Sequence, residues 1–339
     1  MNGQRPLDED TLYYLLKDPA SGDLLYVFSD YSHLFGHIPR GITGKCIYLH
    51  RHDGDLLPGG FKIKRINGLD FLNTAWKYDP LSREYQIYPD KAIKALTQGY
   101  LRLLLPNAEP LLKNYSVYDR TYAIACFPPQ QVLPLVMEHH PKISAAISSI
   151  SQSFGIPLSR LGITGSLALG AESAGDIDIV FYGSIGALQD VRAQISDYQK
   201  CFGPVEENGW IWPCRFYDGN GNLFCCFFNI QGDTYADCLK HGEISREKVR
   251  YTARVSDDTY SIAKTPFLRL DDGRYDALLL FDRAFKGIFR KGDTLSGSAN
   301  VITFTVNGVL HRFLLSLSPL DEIDHWSSFV RRQPQSLHS

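Results

Sequence analysis

Residues 161–183, LGITGSLALGAESAGDIDIVFYG, constrain the fold more than any other stretch of the chain. Two short runs rich in strand-forming residues, 159–164 and 176–183, flank a spacer rich in small residues. In DIDIVFYG the acids alternate with isoleucines, the pattern of a strand with one face in a core. On either side the apolar period becomes helical. Ile143, Ile147, Ile150 and Phe154 share one helical face before the segment, and Leu188, Val191, Ile195 and Tyr198 share one after it. The spacing therefore predicts helix–strand–turn–strand–helix across 142–201.

Strand geometry sets the chemistry of this segment. Asp176 and Asp178 project to one face while Ile177 and Ile179 point to the other. Two neighbouring carboxylates repel, and a divalent cation relieves that repulsion. Mg²⁺ suits such a pair, because it prefers oxygen ligands and keeps one or two carboxylates besides water and phosphate. Gly165-Ser166 sits where the first strand gives way to a helix. Glycine allows close backbone approach to a ligand, and the N–H groups with the serine hydroxyl can hold phosphate oxygens. A phosphate cradle beside a metal clamp is the equipment of in-line phosphoryl displacement.

The combination resembles the DNA polymerase β-like nucleotidyltransferase superfamily. Gly165, Ser166, Asp176 and Asp178 occupy the Gly-Ser and Asp-x-Asp positions of its signature, with the matching order of helices and strands. More loosely, the chain looks like a family of predicted nucleotidyltransferases known mainly from archaea. That wider likeness rests on Phe35-Gly36-His37-Ile38-Pro39, on KCIYLHR and on YPDKAIKAL at 88–96. The resemblance implies an α+β, mixed-sheet nucleotidyltransferase domain. It implies Mg²⁺ (or Mn²⁺) on Asp176 and Asp178, and an NTP whose phosphates meet Gly165 and Ser166. The implied reaction transfers a nucleoside monophosphate to an acceptor hydroxyl of a small molecule, a protein or an RNA.

The superfamily also places a third carboxylate on a later strand. The candidate strand here, NLFCCFFNI at 222–230, carries Cys225, Cys226 and Asn229 where an acid is expected. Asp218 and Asp233 flank it in loops, and Asp218 is the candidate third carboxylate. The missing acid motivates an alternative: a catalytically impaired nucleotide- or RNA-binding module on the same fold. An interaction protein with a chance motif is a third reading, in which the Asp pair faces open solvent.

The rest of the chain reads as two flanking domains. An N-terminal α+β accessory domain at 1–110 carries strands at 24–30, 45–51 and 61–66 and a helix at 90–105 led by Asp90. The nucleotidyltransferase domain takes 111–240 and includes a hairpin at 215–230 around Asp218-Gly219-Asn220-Gly221. A small β-rich domain, a barrel or sandwich, takes 241–318, with an Asn307-Gly308 hairpin turn. A polar tail takes 319–339.

Composition excludes some classes. The 339 residues are 44% hydrophobic with a net charge of −2, which fits buried cores and argues against a basic nucleic-acid coat. No apolar run reaches the roughly 20 residues of a membrane helix, and the first residues do not read as a secretory signal. A cytoplasmic protein with free thiols and no membrane partner is expected.

Other clusters have blander readings. His33, His37, Cys46, His50 and His52 lie close in sequence, but packing explains them more simply than zinc. Cys225-Cys226 read as small buried hydrophobes rather than a redox pair. Arg246, Lys248, Arg250 and Arg254 form a basic strand face, and Arg283, Lys286, Arg290 and Lys291 a basic helical stretch. Either can meet phosphate, though such faces are usually just solvated. Trp210 and Trp212 can stack a base or anchor a loop.

Overall fold

The computed structural model describes residues 12–29, 41–53, 60–88, 90–100, 116–207, 210–231, 243–245, 247–281, 285–317 and 322–326. It is a mixed α+β chain with several sheets. It divides into two compact units, 1–180 and 181–339. Among the described residues no helix is long and apolar enough to cross a membrane.

The first unit begins with β1 (Leu12–Lys17), β2 (Leu24–Ser29) and β3 (Gly41–His50). They continue with β4 (Phe61–Ile66), β5 (Leu69–Asp79) and β6 (Glu84–Ile87). Helix α1 (Asp90–Leu96) follows, then β7 (Ser116–Asp119) and β8 (Ala123–Phe127). These eight strands form one sheet, with β4-β5-β3-β2-β1-β8 as its main path, β6 paired to β5 and β7 to β3. Leu12, Leu16, Leu25, Val27, Ile42 and Leu49 are fully buried and build its core. The strands expected at 24–30, 45–51 and 61–66 are β2, β3 and β4.

The helix expected over 90–105 is shorter. α1 ends at Leu96, where Thr97 Oγ1 donates to Ile93 O (3.0 Å) and a turn closes from Thr97 O to Tyr100 N. Ile93 O accepts the backbone N–H of Thr97 as well (3.0 Å), and Gly99 follows two residues on. Tyr100 points instead to the buried Asp23, donating to its Oδ2 at 2.7 Å. Leu104 lies outside the described residues.

Two helices follow in the first unit, α2 (Pro129–His139) and α3 (Pro141–Ser153), each with proline in its first turn, where no N–H is missed. Ile147, Ile150 and Phe154 are buried along the predicted face of α3. Next come β9 (Leu161–Ile163), the single turn α4 (Gly165–Ala168) and β10 (Ile177–Gly183). The unit boundary falls inside β10.

In the second unit α5 (Ile185–Phe202) is capped by Ser184, whose Oγ accepts from Ala187 N, and it buries Leu188, Val191 and Ile195. A two-stranded ribbon, β11 (Glu206–Glu207) with β12 (Trp210–Ile211), precedes β13 (Arg215–Tyr217) and β14 (Leu223–Ile230). β13 and β14 are the predicted hairpin, with stacked Phe216 and Phe224 rings 5.1 Å apart. A four-stranded sheet runs β13-β14-β10-β9.

The remaining strands are β15 (Glu243–Ile244), β16 (Val249–Asp257), β17 (Phe267–Asp271) and β18 (Ala277–Leu280). After them come β19 (Thr294–Val306), β20 (Val309–Ser316) and β21 (Ile323–Trp326). Pairing runs β19-β16-β17-β18-β20 and returns from β20 to β19, so five strands close a barrel; β15 and β21 add to β19. Closure is possible because the thirteen residues of β19 serve two partners, Thr294–Ala299 pairing β16 and Asn300–Val306 pairing β20. Closure removes exposed sheet edges. Asn307 (φ 50°) and Gly308 (φ 79°) make the positive-φ turn their sequence demands. Ile323–Trp326, read from sequence as part of a polar tail, is the strand β21.

Candidate functional site

The Asp pair sits as strand alternation requires. Ile177 and Ile179 are 3% and 0% exposed, while Asp176 and Asp178 are half-buried on the opposite face. Backbone pairing of Thr164 N with Asp178 O (2.8 Å) fixes the Gly-Ser turn beside the second aspartate.

Gly165 explains why the turn and the acid lie so close. Its φ is +68°, and a Cβ there would stand 1.8 Å from Asp178 Oδ2 and 2.6 Å from Cγ. No other residue type supplies that backbone and leaves that space. Ser166 is buried, and its side chain is hydrogen-bonded to the Tyr48 hydroxyl. Its carbonyl accepts from Ala171 N at 3.0 Å, which closes the loop toward the spacer.

Tyr48, from β3, is a site residue that the sequence did not disclose. Burial pushes its hydroxyl pKa well above the usual tyrosine value, the charges of Asp178 and Asp176 push it the same way, and the bond to Ser166 opposes them. The phenol therefore stays neutral beside the two acids. Lys64, from β4, is a second such residue. Burial lowers its pKa, Lys62 adds to that, and the Asp176 and Asp178 charges counteract it. Its ammonium donates to Ser173 O in the spacer between Ser166 and Asp176.

The β4–β5 turn holds this arrangement. Asn67 Nδ2 donates to Leu169 O (3.0 Å), Asn67 N donates to Gly170 O (3.3 Å), and Ile66 bridges to Ala171. Gly170 admits the asparagine, since a Cβ there would lie 2.3 Å from Asn67 Oδ1. Arg65 pairs with Glu172 across the exposed rim at 3.5 Å. Asn67-Gly68 marks a hairpin turn within FKIKRINGLDFL, but nothing in that stretch says what the turn docks against.

Asp218, the candidate third carboxylate, is committed elsewhere. Its Oδ1 accepts from Asn220 N (2.9 Å) and Asn222 N (2.8 Å), and its Oδ2 from Asn222 Nδ2 (2.8 Å). It organises its own turn, as short acids in tight turns do. Asp233 lies outside the described residues. Asp218→Ala is expected to cost about 1–3 kcal/mol of stability by leaving turn amides unpaired. Any stabilisation by Mg²⁺ should persist. Denaturant unfolding with and without Mg²⁺ checks both; loss of the Mg²⁺ response at full stability would return Asp218 to the site.

The remaining candidates resolve into structure. Cys46 is buried with its thiol toward Tyr48 O (3.4 Å), and His50 Nδ1 contacts Asp70 O (3.0 Å). His33 and His37, with the 35–39 stretch, lie outside the described residues. Arg250 and Arg254 do share the exposed face of β16. β21 and the residue before it supply acids there: Lys248 pairs with Glu322 (2.5 Å) and Arg250 with Asp324 (2.6 Å). Arg246 and Arg283 lie outside the described residues. Lys286 is buried, donating to Cys226 O (2.7 Å) over the Phe227 ring. Cys226 is fully buried and burial raises its thiol pKa, so it is inert as a nucleophile. Trp212 stacks under Arg215 at 5.1 Å.

Comparison with protein-family models, with curated proteins and with solved structures yields no match to this chain.

Proposed function

We propose that the chain is a divalent-cation-dependent nucleotidyltransferase of the polymerase β-like kind. The observation that carries this reading is the packing of the Asp178 carboxylate against a positive-φ glycine, Gly165, beside Asp176 and Ser166. The motif residues are separated in sequence and adjacent in space.

The donor set fits a hard cation. Asp176 and Asp178 supply two carboxylates from one strand face, within the range Mg²⁺ tolerates. A bound Mg²⁺ or Mn²⁺ supplies Lewis-acid polarisation of phosphoryl oxygens. Asp176 and Asp178 hold it. Ser166 and the backbone at Gly165 orient the β- and γ-phosphates, with Tyr48 fixing the serine rotamer. In the reaction an acceptor hydroxyl oxygen bonds to the α-phosphorus, the α–β bridging bond breaks, and pyrophosphate leaves with its electrons. The hydroxyl proton passes to a carboxylate of the pair or to solvent.

The second reading, a nucleotide- or RNA-binding module without turnover, is favoured by one observation: the strand 222–230 carries Cys225, Cys226 and Asn229 and no acid. One experiment separates the two. α-Labelled ATP, GTP, CTP and UTP are incubated with Mg²⁺ and cell extract, using wild type and the Asp176→Asn/Asp178→Asn double variant. Transfer by wild type alone is expected. Nucleotide binding without transfer favours the module, and equal transfer by both proteins removes the Asp pair from the mechanism.

A further inference from the structure

We infer that Lys64 is a phosphate-binding residue of the site, contributed by the N-terminal sheet; the inference rests on the nucleotide reading above and extends it to a residue outside the signature. The Gly-Ser turn and the Asp pair contain no cation of their own. A nucleoside triphosphate is polyanionic, and the departing pyrophosphate gathers further negative charge, so a fixed positive group beside the cradle is needed. Lys64 stands in that position. The β4–β5 turn is bound to 169–171 by Asn67 and Ile66, which brings β4 alongside the loop between Ser166 and Asp176.

The Lys64 ammonium is half-buried, reaches Ser173 O, and lies within electrostatic range of both aspartates. An ammonium has three donors, and the Ser173 carbonyl takes one. The others are available to phosphate oxygens. Lys62, two residues earlier, shares its face of the strand and is exposed, so the positive potential continues outward from the cradle. Arg65 has turned to the opposite face, where Glu172 pairs with it. A purely structural lysine would serve as well with any hydrogen-bonding head. A phosphate ligand requires the charge, and its contribution must grow with the number of phosphates.

The test uses the full chain and two probes, Mn²⁺ alone and inorganic tripolyphosphate with saturating Mg²⁺, with ATP and AMP for comparison. Lys64→Ala is expected to weaken tripolyphosphate and ATP binding by about 10- to 100-fold, the range of one charge-assisted hydrogen bond. AMP should be affected far less, and Mn²⁺ affinity should stay constant. Lys64→Arg should stay within a few-fold of wild type. Lys64→Met, which keeps the aliphatic stem, carries the comparison if the alanine variant does not fold. Unchanged tripolyphosphate affinity in the uncharged variants overturns the inference, as does an equal loss for Mn²⁺. A wild type that binds Mn²⁺ but no tripolyphosphate also overturns it. A wild type that binds neither probe sinks the nucleotide reading itself.

Discussion

Gly165→Ala is expected to lower the stability of the protein by about 2–5 kcal/mol and to abolish its response to Mg²⁺. Two costs combine. The left-handed backbone at φ +68° penalises any side chain by about 1–2 kcal/mol. The new methyl would also overlap Asp178 Oδ2 at 1.8 Å and Cγ at 2.6 Å, so the carboxylate must leave its place or the turn must open. Such overpacking adds about 1–3 kcal/mol. Gly155→Ala is the matched control: φ there is +62° and nothing lies within 4 Å of the added Cβ. It should show the backbone cost alone. Urea denaturation of both variants, with and without Mg²⁺, makes the comparison. Equal losses at the two glycines would mean that the turn adapts and that the Gly165–Asp178 approach is not a constraint.

Chelation of divalent cations is expected to be the second large perturbation. A ligand held only by the folded state stabilises it by about 2.7 kcal/mol at a hundred times its dissociation constant. Wild type should therefore unfold at a higher temperature in excess Mg²⁺ than in EDTA. Asp176→Asn/Asp178→Asn should unfold at one temperature in both. The amides keep the size of the carboxylates and remove their charge, so the difference isolates the electrostatic contribution proposed for the pair. Calorimetry of the two proteins in the two buffers reads it. A wild-type transition indifferent to Mg²⁺ would dismiss the metal site. An unchanged Mg²⁺ response in the variant would place the cation elsewhere.

What was legible in the sequence was local. The Asp-x-Asp strand announced its faces, because successive side chains alternate and Ile177 and Ile179 had to be buried. The hairpins at 215–230 and around Asn307-Gly308 followed from turn chemistry, since few residues accept positive φ. The helix at 187–201 emerged as α5 because its period and its Ser184 cap agree. One reading failed for an equally physical reason. The helix over 90–105 kept its period on paper, but the chain turns at 97–100 and the buried Asp23 holds Tyr100. Asp218, whose residue type was legible, accepts hydrogen bonds from its own turn on both oxygens, a partnership that only the folded hairpin shows.

By itself the sequence determined that Asp176 and Asp178 share a face and that Gly165-Ser166 begins a turn between two strands, because these are properties of backbone period and glycine sterics. Only the tertiary structure decided what stands against that turn. Tyr48 and Lys64 come from strands more than a hundred residues earlier, and an Asn-Gly hairpin turn docked on the spacer brings them there. Such contacts depend on which surfaces of a sheet and a loop are complementary, and no local pattern in the chain encodes that.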